Sequence, residues 1–232
     1  MSDSLMISTD DGTFSGYLAL PKTLPAPGIV VLQEIFGVNA SMQAICDWLA
    51  REGYCAYCPD LFWRIEPGIE ITDKTDAEMK RAFELYGLFD TQNGMTDIAA
   101  SITALRKHPS CDGRVGTLGF CLGGNLAYLC AARTDTDASV SYYGVGIENL
   151  LDEVENITKP LMLHIAGKDE FVPPSAQKSV IKTFENNTLV TTCFYPDRDH
   201  AFARPMGTHY HEGDAKLAHK RTLGFLENAL RA

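Results

Sequence analysis

Residues 116–125 read GTLGFCLGGN (Gly116–Asn125). A short apolar run, Val115–Leu118, leads into glycine, one residue, a cysteine, one residue and a glycine pair. A helical pattern, Asn125–Arg133, follows. A strand, a tight turn and a helix in this order make a turn whose central residue is held in a strained backbone. Small residues are needed on either side, and Gly119 and Gly123 supply them at −2 and +2. Gly124 adds room for close packing. Cys121 then sits ahead of a helix N-terminus, where unpaired N–H groups and the positive dipole end favour a thiolate and a developing oxyanion.

The same alternation extends outward in both directions. Phe14–Leu20 reads as an early strand closed by Pro21, and Ile29–Gln33 as a buried strand after the PAPG turn. Ser41–Glu52 carries Ile45, Trp48 and Leu49 at helical spacing, with Ser41 as N-cap and Gly53 as the stop. Tyr54–Cys58 is a strand ending at Pro59, and residues 60–76 an irregular loop in which Phe62 and Trp63 are placed to act as a lid. Helices are predicted at Ala77–Tyr86, Met95–Lys107, Ser175–Glu185 and Gly213–Leu230. Strands are predicted at Ser139–Tyr143, Leu161–Ala166 and Val190–Tyr195. Strands alternating with helices imply right-handed crossovers and a largely parallel sheet with helices on both faces. The expectation is an α/β fold of the α/β-hydrolase type, one domain across residues 1–232.

Ligands bind such sheets outside the carboxyl ends of the strands. Two further reactive side chains fall there. Asp169 lies just past Leu161–Ala166, in GKDEFVP (Gly167–Pro173). His200 lies just past Val190–Tyr195, in DHAFARP (Asp199–Pro205). Cys121, Asp169 and His200, in that chain order, follow successive strands as the triad of an α/β-hydrolase does. In this reading Cys121 attacks an acyl carbon, and His200 takes the thiol proton and later returns it. Asp169 fixes the imidazole tautomer. The backbone N–H of Leu122 is one oxyanion donor, and Ile35, after the strand Ile29–Gln33, is the candidate for the second.

With QEIFGVN (Gln33–Asn39), GFCLGG (Gly119–Gly124) and SYYGVG (Ser141–Gly146) added, the ordered motifs resemble the dienelactone hydrolases, or carboxymethylenebutenolidases, from about Ser15 onward. The resemblance implies opening of an enol-lactone ester by a Cys-His-Asp triad through a thioester. It implies no metal and no organic cofactor, a monomer, and a place in the breakdown of aromatic compounds. It assigns Glu34 to hold the resting thiol until substrate displaces it. A carboxylate beside a thiol disfavours the thiolate, and a protonated thiol resists oxidation. It also implies arginines for an anionic substrate. Arg204 matches one. The second is expected where Met79 stands, and Arg81, two residues on, is the substitute. The family's frequent serine after the histidine is Ala201 here. Phe36, Phe83, Tyr86 and Tyr143 are candidates to line the pocket.

The remaining features bound the function. The 232-residue chain is 45% hydrophobic and 22% charged, which suits one large domain with a substantial core. A net charge of −10 argues against nucleic acid as a partner but not against a small anion. MSDSLMISTDDG has no basic start and no apolar core, so it does not read as a secretory signal. No apolar run reaches the ~18 residues of a membrane span. Seven cysteines at irregular spacing favour a reducing cytoplasm. Cys55 and Cys58 fall on opposite faces of a strand and read as core. His164 reads as a satisfied core histidine, and His209, His211 and His219 as solvated residues near a helix start. Two alternatives stand beside the lactonase. One is a broader carboxylesterase, or promiscuous acyl or phosphoester hydrolase, motivated by Met79 and Ala201. The other is a non-enzymatic ligand-binding or thiol-sensing protein using Cys121.

Overall fold

The computed structural model describes residues 5–231. The chain forms two compact units, one up to Gly116 and one from Thr117. In the first, β1 (Ile7–Thr9) and β2 (Gly12–Phe14) make an antiparallel hairpin. β3 (Gly16–Ala19) pairs antiparallel with β5 (Cys55–Pro59), which runs parallel to β4 (Ala26–Leu32). Every residue of β4 is buried, as expected of a strand covered on both faces. α1 (Ala40–Arg51) and α3 (Thr91–Lys107) pack on these strands, and α2 (Asp76–Leu88) precedes α3.

The chain passes from the first unit into the second within β6 (Cys111–Phe120). The second unit is a parallel array of β6, β7 (Ser139–Tyr142), β8 (Leu161–Ala166) and β9 (Val190–Tyr195), in that order. α4 (Leu122–Arg133) joins β6 to β7, and α5 (Pro174–Phe184) joins β8 to β9. The two short 3-10 helices Ile147–Asn149 and Leu151–Asn156 follow β7, and α6 (Glu212–Leu230) closes the unit. β7 and β8 are wholly buried, whereas β9, at the end of the order, is half exposed.

Several boundaries differ from expectation, each for a local reason. Asn39, not Ser41, caps α1: its side-chain oxygen accepts from the backbone N–H groups of Ser41 and Met42 at 3.1 and 3.2 Å. Thr75 and Asp90 cap α2 and α3, so both helices begin before their apolar repeats do. α4 takes the glycine pair into its first turn and starts at Leu122. β1, β2 and the 3-10 helices are too short to carry a period, and the sequence reading lacks them. Phe62 and Trp63 are not disposed as a lid. Phe62 is fully buried against Phe89, and Trp63 stacks on Phe14 while its indole N–H donates to buried Asp97 at 2.8 Å.

Candidate active site

Cys121 joins the end of β6 to the start of α4 with φ 56° and ψ −114°, a backbone that side chains rarely adopt. Its N–H donates to Tyr142 O at 3.0 Å, and its carbonyl accepts from Asn125 N at 3.1 Å. The turn is too tight for larger neighbours. A Cβ on Gly119 would lie 1.9 Å from Gly123 O, and one on Gly124 2.5 Å from Tyr142 O. Leu122 opens the helix, so its N–H belongs to the first turn, whose donors have no intrahelical partner.

Two loops of the same unit bring up an acid and a base. Gly167 N donates to Tyr195 O and Lys168 N to Arg198 O, both at 2.8 Å. This ties the loop after β8 to the loop after β9. A Cβ on Gly167 would lie 2.6 Å from Pro196 O, so the approach requires glycine. Asp169 and His200 are thereby brought together, both buried, with His200 Nδ1 2.7 Å from Asp169 Oδ2. The other carboxylate oxygen, Oδ1, accepts from the backbone N–H of Phe171 at 2.9 Å. Gln177 of α5 braces this loop by donating to Val172 O at 2.7 Å.

Asp169 occupies Nδ1, whereas Nε2 is buried and completes no well-formed hydrogen bond, and Cys121 acts on the ring chiefly through its charge. Apo sites often hold such contacts loose until substrate binds. Burial pushes the His200 pKa down. The Cys121 charge, the hydrogen bond and charge of Asp169 and the interaction with the sulfur outweigh it, and the pKa is raised to about 10. Tyr143, buried just past β7 at φ 38°, sets its ring 4.9 Å from the His200 ring, and Phe171 does the same at 4.9 Å. Arg204 is buried in the turn after His200, its N–H donating to Ala201 O at 3.0 Å.

The other candidates lie in the first unit. Glu34, Ile35 and Phe36 follow β4 and are all buried. Their loop is drawn tight at Gly37, φ 75°, where a Cβ would lie 1.8 Å from Ile69 O. Arg81 lies on α2 with its guanidinium 2.5 Å from Glu66 and 3.2 Å from Glu84. Phe83 and Tyr86 are exposed on the same helix. The sequence reading missed Phe171, Gln177 and the carbonyl of Tyr142. Phe171 lies two residues after Asp169 in a motif already noted, whereas a bracing glutamine on a helix leaves no pattern.

Among the described residues, no group of three His, Cys, Asp or Glu is placed to hold a metal ion. All seven cysteines are free thiols, with Cys55 and Cys58 both in the core. His164 is buried, with Tyr195 and Thr222 hydroxyls each 2.9 Å from its ring. His219 departs from expectation. It lies inside α6 rather than at its solvated start, and burial lowers its pKa to about 4. No described helix is long and apolar enough to cross a membrane.

A parallel βα array with a strained cysteine turn and an Asp–His pair on later loops defines an α/β-hydrolase. A solved structure from Klebsiella pneumoniae subsp. pneumoniae, provisionally described as a dienelactone hydrolase, has TM-score 0.82 and 27% identity over 97% of each chain. The dienelactone hydrolase structure from Anabaena variabilis has the same fold, with TM-score 0.73 and 17% identity over 99% of this chain and 98% of that one. The sequence model of the dienelactone hydrolase family matches residues 14–230. A protein of Azospirillum brasilense provisionally named carboxymethylenebutenolidase is 47% identical over 99% of this chain and 100% of its own. The carboxymethylenebutenolidase of Pseudomonas putida is 39% identical over 97% and 96%. The chain belongs to the dienelactone hydrolase family, whose members hydrolyse esters.

Proposed function

We propose that this chain opens a small anionic enol-lactone of the dienelactone type, giving a maleylacetate-type product. The carrying observation is geometric: Cys121 stands at the strained end of β6, and in the same unit His200 Nδ1 lies 2.7 Å from Asp169 Oδ2. An enol ester suits a cysteine nucleophile, because its enolate is a better leaving group than an ordinary alkoxide and competes with expulsion of the sulfur. His200 takes the Cys121 proton, and the sulfur bonds to the lactone carbonyl carbon. The ring C–O bond breaks with its electron pair on the enolate oxygen, which takes the proton back from His200, leaving a thioester and a neutral imidazole. The now neutral His200 takes a proton from water as it attacks the thioester carbon, and returns that proton to the sulfur as the C–S bond breaks and the carboxylate product leaves. No step calls for a metal or organic cofactor.

Asp169 orients the imidazole, and the N–H groups of Leu122 and Ile35 take the oxyanion. Glu34 keeps the thiol at rest until substrate binds. Arg204 and Arg81 meet the substrate carboxylate, and Phe36, Phe83, Tyr86 and Tyr143 line the pocket. The chain works as one domain across residues 1–232 and as a monomer in the cytoplasm, a compartment consistent with its free thiols.

One observation favours a second reading, a broader esterase. Arg81 is already paired with Glu66 and Glu84, so an anionic substrate must compete for it. The test is hydrolysis of a dienelactone and of a neutral aryl ester of similar size, under reducing conditions, with Cys121→Ala as control. Lactone turnover far above aryl-ester turnover, lost in the variant, is expected. Comparable aryl-ester turnover that Arg204→Ala leaves unchanged supports the broader esterase. Reversible oxidation of Cys121 with no hydrolysis of either ester supports a thiol sensor.

A further inference from the structure

Phe171 has two grips on the Asp169–His200 pair. Its backbone N–H donates to Asp169 Oδ1 at 2.9 Å, leaving Oδ2 for His200 Nδ1 at 2.7 Å. Its ring meets the imidazole nearly edge-on, centroids 4.9 Å apart and planes at 79°. Tyr143 meets the same imidazole at 4.9 Å and 63°. The two rings differ in one respect. Tyr143 is 2% exposed and belongs to the core, whereas Phe171 is 39% exposed. Phe171 is thus a loop residue only partly covered, and its edge-on contact is of the kind that holds a neighbouring ring in one orientation.

We infer that Phe171 is a positioning residue: its ring restricts rotation of the His200 imidazole and keeps water from the Nδ1–H···Oδ2 bond. This rests on the reading of His200 and Asp169 as the base pair of the hydrolysis. The chain supports the role, because Phe171 sits on the loop that Gln177 braces through Val172 O. The backbone grip does not depend on the side chain of any residue but proline, so Phe171→Ala and Phe171→Tyr test the ring alone. An imidazole free to turn spends less time aligned with the sulfur, and small misplacements of a catalytic base are costly.

The experiment compares Phe171→Ala, Phe171→Tyr and wild type on a dienelactone, with Tm and proton NMR of the same samples. Phe171→Ala is expected to lower kcat about tenfold with KM within about twofold and Tm nearly unchanged. Phe171→Tyr is expected to restore most of the rate. The downfield Nδ1–H signal of His200 should exchange with water about tenfold faster in Phe171→Ala than in wild type or Phe171→Tyr. A raised KM at unchanged kcat would make Phe171 a substrate contact and overturn the inference. Unchanged kcat and unchanged Nδ1–H exchange would overturn it as well. His200→Asn separates the two levels. Full activity there defeats the underlying reading and this role with it. Lost activity there beside an unaffected Phe171→Ala defeats this role alone.

Discussion

Two imidazoles lie buried in the second unit, and their environments shift their pKa values in opposite directions. His164, in β8, is 1% exposed, stacks on Tyr142 at 4.2 Å and bonds the hydroxyls of Tyr195 and Thr222. Burial, then the nearby cations Arg221 and His219, lower its pKa to about 3. His200, on a loop, is 6% exposed. It meets the same penalty of burial but has the charge of Cys121 nearby and a carboxylate on Nδ1, and its pKa is raised to about 10. Burial and hydrogen bonds do not separate the two rings, because both have them. A negative partner does, and it marks the imidazole equipped to move a proton.

The largest expected effect comes from removing that partner. Asp169→Asn keeps the shape and one acceptor but neutralises the charge. His200 should fall well below its present pKa, and kcat should drop about 10³–10⁴-fold. NMR titration of His200 alongside lactone turnover checks both. A pKa that stays near its present value would assign the shift to Cys121 instead. The parallel change at the other ring should do the reverse. His164→Leu removes two buried hydrogen bonds, to the hydroxyls of Tyr195 and Thr222, and should cost about 2 kcal/mol of stability, with kcat within a few-fold of wild type.

The same contrast predicts opposite limbs of a stability–pH curve. The unfolded chain binds a proton at an ordinary histidine near pH 6.5, whereas native His164 resists one until about pH 3. Stability is therefore lost as pH falls through that window, by at most about 5 kcal/mol from this residue. His219, lowered to about 4 by burial, adds a loss of the same sign. His200 works the other way. Its native pKa lies above the unfolded value, so its contribution is complete below about pH 6.5 and is lost as pH rises through about 10. Urea unfolding at a series of pH values checks both limbs. The acid slope should shrink in His164→Leu, and the alkaline slope in Asp169→Asn.

The site's own parts were more legible in sequence than its geometry. Glycines around Cys121 announce the elbow because no other residue fits: a Cβ at Gly119 meets a backbone oxygen. Strands β8 and β9 were legible because they are short β-rich runs bounded by Pro160, Gly167 and Pro196, and so Asp169 and His200 fell at their ends. The caps Asn39 and Thr75 escaped because a side-chain oxygen reaching a nearby N–H leaves no periodic mark. The pairing of Arg81 with Glu66 joins residues 15 apart across a loop, which no spacing rule reports. Phe171 escaped for a related reason. An aromatic residue after an acid reads the same whether its ring meets His200 or solvent.

The smallest expected effect concerns strain near His200. Ala201 and Met206 both hold φ 62°, a left-handed backbone that suits glycine. Met206 is 54% exposed, whereas Ala201 is buried immediately after His200. Glycine relieves the local clash at either place but adds freedom to the unfolded chain, so each change should stabilise by only about 0.5–1 kcal/mol. That corresponds to a rise in Tm of roughly 2 °C for a chain of this size. Turnover should separate them. Met206→Gly leaves the backbone of His200 untouched and should keep kcat. Ala201→Gly frees the peptide that orients His200 and should lower kcat a few-fold while raising Tm. Equal kcat in the two variants would show that the rings and Asp169 hold the imidazole without help from the strained backbone beside it.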